Sequence, residues 1–217
     1  MPNILDPLIK TMLHDAFVSA QLLPQCLEIK LYLVDPSTMR REFGLDEIRS
    51  IWDNTAYWAF CWASGQVLAR YILDNPNIVR GKKVLDFGTG SGVVAIAAMM
   101  AGAKQVIACD IDQQALISCK ANAQLNNVSF DLADNLFDIH DTDIDLLIAA
   151  DVLYDRENLS FLDTFFNFAP NVLLADSRIK DFKHPLYKPL DKIESFTVPD
   201  LDELDEFRWV NLYQGEQ

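Results

Sequence analysis

Apolar and polar residues along this chain follow two periods, and the period changes several times. From Pro7 to Leu23 the apolar side chains Leu8, Ile9, Met12, Leu13, Phe17, Val18 and Leu22 fall at helical spacing, and Pro24 closes the predicted helix. Leu27 to Leu33 alternates instead and predicts a strand, ended by Asp35-Pro36. The pattern then predicts helix Trp62–Leu73, strand Lys83–Phe87, helix Val93–Ala101, strand Gln105–Asp110, helix Gln113–Leu125 and strand Val128–Asp131. Strand Leu146–Ala150, helix Glu157–Phe168 and strand Asn171–Ala175 follow, then a short helix near residue 185 and strands Ser195–Val198 and Phe207–Tyr213. Repeated strand–helix units imply an α/β fold, with a mainly parallel sheet and helices on both faces. A ligand of such a sheet lies outside the carboxyl ends of the strands, where Asp86, Asp110 and Asp151 all fall.

One turn carries most of the chemistry. Val84-Leu85-Asp86-Phe87-Gly88-Thr89-Gly90-Ser91-Gly92 runs an apolar strand into an acid, then three glycines at every second position, just before the helix at Val93. Such a turn lets a ligand lie against bare backbone N–H groups. The next strand ends in Asp110, where a carboxylate accepts both hydroxyls of a ribose. The spacing G-x-G-x-G departs from the G-x-G-x-x-G of dinucleotide folds, and Val93-Val94 replace the Lys-Ser/Thr pair of a P-loop. The remaining reading is a ligand with a ribose and a charged amino acid but no phosphate, S-adenosylmethionine (SAM). An anion at Asp86 repels a pyrophosphate and suits an ammonium or sulfonium. The bland alternative is a packing turn with no ligand.

These residues resemble the first two motifs of the seven-stranded, class I SAM-dependent methyltransferases: Val84 to Gly92 the first, Asp110 the second. Tyr57-Trp58-Ala59-Phe60-Cys61-Trp62-Ala63-Ser64-Gly65-Gln66, ahead of the core, and Asp151-Val152-Leu153-Tyr154, after the fourth strand, narrow the resemblance. Both are similar to the protein-lysine methyltransferase group that includes the electron-transfer-flavoprotein β-subunit lysine methyltransferase and its bacterial relatives. The similarity runs over roughly residues 25 to 178. It departs at Ala63-Ser64, where that enzyme tends to carry Pro-Gly, and the tail after Arg178 matches poorly. The resemblance implies a Rossmann-like seven-stranded sheet with an antiparallel final strand. It further implies one globular unit, with 1–60 an N-terminal helix and strand extension packed on a SAM-binding core, 61–217.

For the cofactor, Gly88, Thr89, Gly90 and Gly92 are expected to bring backbone against the methionine part, Asp86 to hold its amino group and Asp110 its ribose. Asp134 and Asn135 sit where an adenine would lie, with Leu136 packing on the ring; turn chemistry competes for both polar residues. Asp112 reads as a helix N-cap. Trp58 and Trp62, four apart at a helix start, share one face and read as core, but the resemblance turns Trp62 toward the SAM pocket beside Gly65 and Gln66. Cys61 reads as packing. Asp151 and Tyr154 are the candidate catalytic pair, both facing the methyl group and holding an incoming amine; an edge aromatic is the alternative for Tyr154.

Composition bounds the function classes. At 217 residues, half of them apolar, the chain has enough for one well-buried domain. No apolar run reaches a membrane span, and Met1 to Pro7 reads as neither signal peptide nor transit segment. Cys26, Cys61, Cys109 and Cys119 show no C-x-x-C pairing and the three histidines are scattered, so buried free thiols, a reducing, cytoplasmic compartment and no metal are expected. A formal charge of −14 opposes DNA or RNA and favours a basic or lysine-bearing protein substrate. The acidic run Asp200 to Glu206 reads as a solvated loop or a dock for a basic partner. The expected function is SAM-dependent methyl transfer to an amine nitrogen, foremost a protein lysine; a small amine or pyridine acceptor and a SAM-binding module without turnover are the alternatives.

Overall fold

The computed structural model describes residues 3–140, 143–179, 182–201, 204 and 207–217. A short helix α1 (Asp6–Ile9) leads to a hairpin of β1 (Val18–Leu23) and β2 (Cys26–Val34), then α2 (Pro36–Met39) and α3 (Leu45–Asp53). Alternating units follow: α4 (Ala63–Asp74), β3 (Lys83–Phe87), α5 (Val93–Met100), β4 (Gln105–Cys109), α6 (Gln113–Leu125) and β5 (Asp131–Ala133). Next come β6 (Leu146–Ala150), α7 (Phe161–Thr164), β7 (Asn171–Asp176), β8 (Tyr187–Glu194) and β9 (Trp209–Glu216).

β3 to β9 build one seven-stranded sheet in the order β5-β4-β3-β6-β7-β9-β8. Pairing is parallel from β5 across to β7, and β9 runs antiparallel to both of its neighbours. This is the Rossmann-like arrangement with an antiparallel final strand that the sequence predicts. The order reverses at β3, whose chain continues to β4 on one side while β6 pairs on the other, and such a switch point opens a crevice at the carboxyl ends.

Successive strand residues face opposite sides, so each central strand feeds two cores. Val84, Val106, Leu146 and Leu173 join α4, α5 and the β2 residues Ile29, Leu31 and Leu33 on one side. Leu85, Ile107, Leu147 and Leu174 join Leu136, Phe165, Phe166 and Tyr187 on the other. A third cluster ties Leu5, Ile9, Met12 and Leu13 to Trp58, Phe60 and Ala115.

Several sequence expectations are corrected. The helix Pro7–Leu23 is not formed beyond α1: Val18–Leu23 pairs with β2 from Val18↔Val34 to Leu23↔Cys26, and Pro24 lies in the hairpin turn. Long-range ladder bonds override the local helical spacing, and Phe17 and Leu22 are left exposed. Glu157–Phe168 is not one helix, because α7 is flanked by 3₁₀ turns at Arg156–Ser160 and Phe165–Asn167. The strand predicted at Val128–Asp131 lies at Asp131–Ala133. Near residue 185 the chain enters strand β8 instead of a helix. Ser195–Val198 forms only an isolated bridge, Val198 to Cys61, with bonds of 2.8 Å each way. β8 is an edge strand exposed along most of its length, which hides the alternation a half-buried strand would show, and Pro189 with its adjoining bulge suits only an edge. Of the acidic run, Asp202, Glu203, Asp205 and Glu206 lie outside the described residues.

Trp58 and Trp62 do not share a helix face. Trp58 sits in a 3₁₀ turn, Tyr57–Ala59, and Trp62 precedes α4 in extended backbone. Trp58 is fully buried and its indole N–H donates to Gln114 Oε1 at 3.3 Å, whereas Trp52 on α3 is 80% exposed. Urea unfolding should therefore show Trp58→Ala losing roughly 3–5 kcal/mol, while Trp52→Ala stays within about 0.5 kcal/mol of wild type.

Candidate active site

The glycine turn between β3 and α5 has a left-handed backbone at Gly88 (φ +68°), Gly90 (φ +50°) and Gly92 (φ +82°). A Cβ on Gly92 would lie 2.7 Å from Cys119 Sγ and 3.3 Å from its Cα, so α5 and α6 pack too closely there for any side chain. Because Gly92 is the residue that opens α5, the helix has no side chain of its own to cap it. Asp86 does so from β3: its Oδ2 accepts from Ala95 N–H at 3.1 Å and from Thr89 Oγ at 2.6 Å. Both bonds fall on Oδ2, which leaves Oδ1 without a protein donor among the described residues. Asp110, at the end of β4, takes Gly90 N–H on one oxygen (2.9 Å) and Asp112 N–H on the other (3.0 Å). Asp112 caps α6 through Gln114 N–H, as expected.

Burial pushes the carboxyl groups of Asp86 up to about 7 and of Asp110 upward, against the hydrogen bonds that favour their ionised forms. Asp86 lines a small cavity with Trp62, Gly65, Gly88, Gly90, Ser91 and Ala150. Trp62 is held there by its indole N–H on the Tyr57 carbonyl (3.0 Å) and by ring contacts with Tyr57 and Phe60. Gln66 points away; it is fully buried and donates to the Phe196 carbonyl at 2.6 Å. A wider hollow between the N-terminal segment and α6, lined by Ile4, Phe17, Tyr32 and Leu125, contains none of the expected site residues.

At the end of β6, Asp151 adopts φ +53°, a conformation that aspartate and asparagine tolerate best after glycine. Its Oδ2 accepts from Ser64 N–H at 2.9 Å, and its Oδ1 from Ser64 Oγ at 2.5 Å and Ser177 Oγ at 3.3 Å. Burial raises the Asp151 carboxyl to about 6; the Ser64 hydroxyl opposes that rise and nearby Asp176 adds to it. Tyr154 is 58% exposed and stacks on Tyr57, itself 49% exposed, with ring centres 5.7 Å apart. Asp110 and Asp155 contribute to raising the Tyr154 hydroxyl, after burial and Tyr57.

Asp134 is exposed and accepts from Gln113 Nε2 at 3.3 Å. Asn135 caps the 3₁₀ turn Leu136–Asp138 through Phe137 N–H, and Leu136 is buried in the core. Sequence reasoning quoted Tyr57 and Ser64 in a motif without giving them a site role, and passed over Ile111. Ile111, next to Asp110, is 86% exposed, an apolar side chain left in water beside a carboxylate. A bulky β-branched residue directly after a strand-end acid was the available signal. Among the described residues no group of three or more His, Cys, Asp or Glu is placed to hold a metal.

The geometry fits SAM. Glycine backbone in left-handed turns, a cavity-lining carboxylate with an open oxygen and a second acid one residue beyond the paired part of β4 suit a cationic ligand with a ribose. Comparison with known proteins settles the family. The human electron transfer flavoprotein β-subunit lysine methyltransferase is 35% identical over 208 residues, 90% of this chain and 77% of that protein. The chain belongs to this lysine methyltransferase family. The mouse member is 35% identical over 91% of the chain and 80% of its own length. Residues 67–155 match the ribosomal protein L11 methyltransferase (PrmA) family. The solved L11 methylase of Lactobacillus delbrueckii subsp. bulgaricus shares the fold, with a TM-score of 0.55 at 24% identity over 71% of this chain and 79% of that one. A magnesium protoporphyrin IX methyltransferase from Synechocystis with bound SAM also shares it, with a TM-score of 0.53 at 14% identity over 82% and 88%. As a lysine methyltransferase the chain uses SAM as methyl donor and acts on a protein. No helix among the described residues is long and apolar enough to cross a membrane.

The Asp86 carboxyl holds its proton to about pH 7 in the folded protein, whereas an ordinary aspartate releases it near 3.8. The folded form therefore binds more protons between those values, so Asp86 costs stability as pH rises through that interval. The stability difference between wild type and Asp86→Asn, from urea unfolding at each pH, should shift against wild type from about pH 4 to about 7. A difference that stays flat would show that burial does not perturb Asp86.

Proposed function

We propose that Asp151 and Tyr154 hold the acceptor lysine, and that Trp62, Asp86, Gly88, Thr89, Gly90, Gly92, Asp110, Asp134 and Asn135 hold SAM. The observation that carries the reading is Asp151 beside the glycine turn, at the end of the strand adjoining β3, with the exposed Tyr57–Tyr154 pair close by. An opening walled by two half-exposed tyrosines suits a long side chain reaching in from a protein surface. Ile111 and Asp134, at the ends of β4 and β5, would flank the adenine. When bound, SAM supplies an electrophilic methyl group on a sulfonium.

The amine must reach it uncharged. A free lysine is neutral in only about one molecule in 2,500 at pH 7, a cost of about 4 to 5 kcal/mol. Asp151 attracts the charged form, but a carboxylate alone would also hold the proton on nitrogen. Three donors already share its charge, which weakens that hold and leaves it to orient the amine by a hydrogen bond. Tyr154 orients the same nitrogen, and alignment supplies most of the rate.

The names of the relatives make the β-subunit of electron transfer flavoprotein the first acceptor to test. The formal charge of −14 supports a basic protein surface as partner in preference to nucleic acid. Four buried, unpaired cysteines support a reducing compartment such as the cytoplasm.

Incubation with labelled SAM, the purified β-subunit and, separately, a cell lysate tests the reading. A labelled protein band is expected. Asp151→Asn should lower kcat/KM for the acceptor about 10- to 100-fold and Tyr154→Phe less, with SAM affinity kept in both. Label in the small-molecule fraction alone would replace the lysine acceptor with a small amine, and SAM binding without any label would leave a binding module.

A further inference from the structure

Ser64 is the second residue of α4, fully buried, and makes no contact with solvent. Its amide on Asp151 Oδ2 supplies the cap that α4 lacks, since Trp62 has no capping side chain. Its hydroxyl does something the cap does not require. It binds the other oxygen, Oδ1, at 2.5 Å, so one residue grips both oxygens and fixes the torsion of the carboxylate. Ser177 adds a weaker bond on Oδ1 at 3.3 Å, and the Asp151 N–H is held by the Ala175 carbonyl at 3.0 Å. The residues on either side of this grip, Trp62 and Gly65, line the cavity opposite Gly88 and Gly90.

We propose that Ser64 is a positioning residue for methyl transfer: its hydroxyl locks the rotation of Asp151, so that the carboxylate meets the acceptor nitrogen in one orientation. The proposal rests on the reading that Asp151 holds the acceptor amine. An unlocked carboxylate would still attract a lysine, but each approach would carry the entropy of a free rotor, and small misalignments are costly in displacement reactions. The hydroxyl also favours the ionised form of Asp151. The other groups facing that carboxylate are Asp176 and Arg178 on and after β7, which act in opposite directions, and Cys61 ahead of α4, which is held protonated by burial. Removal of the Ser64 hydroxyl therefore moves protonation of Asp151 to higher pH.

The test is a double-mutant cycle of Ser64→Ala, which keeps the amide and loses the hydroxyl, Asp151→Asn and the pair. Asparagine suits the backbone at 151, so the fold is kept. Methylation of the purified flavoprotein β-subunit is followed against pH, SAM affinity by calorimetry and the Asp151 carboxyl by ¹³C NMR titration. Ser64→Ala should lose about tenfold in kcat, the worth of one hydrogen bond to a charged group, with SAM affinity unchanged. The acid limb of the pH profile and the carboxyl titration should move up together, and the double variant should be no slower than Asp151→Asn. Losses that add in the double variant, or that track weaker SAM binding and a lower melting temperature, would make Ser64 merely structural. An unshifted ¹³C titration in Ser64→Ala overturns the proposal whichever acceptor is used. Full activity in Asp151→Asn would overturn the reading of Asp151 itself, whereas a slow Asp151→Asn beside a normal Ser64→Ala would overturn only the role of Ser64.

Discussion

Two helices around the site begin at residues that cannot cap them, and two aspartates on neighbouring strands take over the task. Gly92 opens α5 without a side chain, and Asp86 from β3 receives Ala95 N–H. Trp62 opens α4 with an indole turned elsewhere, and Asp151 from β6 receives Ser64 N–H. Each bond is worth about 1 kcal/mol as a cap. Its larger effect is geometric, because it welds a helix to the strand whose carboxyl end forms the site. The glycine turn is closed from a third side by Asp110 on Gly90 N–H.

This construction gathers negative charge. Asp86, Asp110, Asp151 and Asp176 all end central strands, and burial raises the carboxyl of each. Only Asp176 is fully employed by backbone, taking the N–H groups of Leu153, Arg178 and Ile179. Asp86 and Asp110 accept two bonds each, and Asp151 accepts three, two of them from serine hydroxyls. A cluster of carboxylates raised by burial is unfavourable in the empty protein and becomes favourable when a cation arrives, which ties affinity to charge as well as to shape. A cationic methyl donor and a lysine acceptor both match that need.

The alternating half of the chain was legible because its information is local. β3, α6 and β6 match the predicted spans to the residue, since apolar spacing and nearby caps such as Asp112 mark them. The expected acids do meet at one edge for the same reason, each ending its own strand. Bonds between distant segments were not legible. Nothing local ties Ser64 to Asp151, 87 residues away, and the hairpin that replaced the first helix depends on pairing with β2. β8 escaped notice because most of its side chains face water, leaving no pattern to read. Trp58 and Trp62 were misplaced because helical spacing was carried back to Trp58, whereas the helix begins only at Ala63.

The strand order has a metric consequence. Asp110 and Asp151 extend strands that lie on either side of β3, so sheet spacing alone separates their backbones by about 10 Å, two inter-strand steps. Asp86 pairs with Ala108 and Ile148, two and three residues short of those acids, and so lies deeper by about 7 to 10 Å along the strands. The three carboxylates thus mark a triangle whose sides are set by backbone hydrogen bonds and not by side-chain packing. Helices, hairpin and loops can diverge in sequence without stretching it, whereas a one-residue slip of β6 would turn Asp151 to the opposite face of the sheet. The length of ligand this fold accepts is written into the ladder.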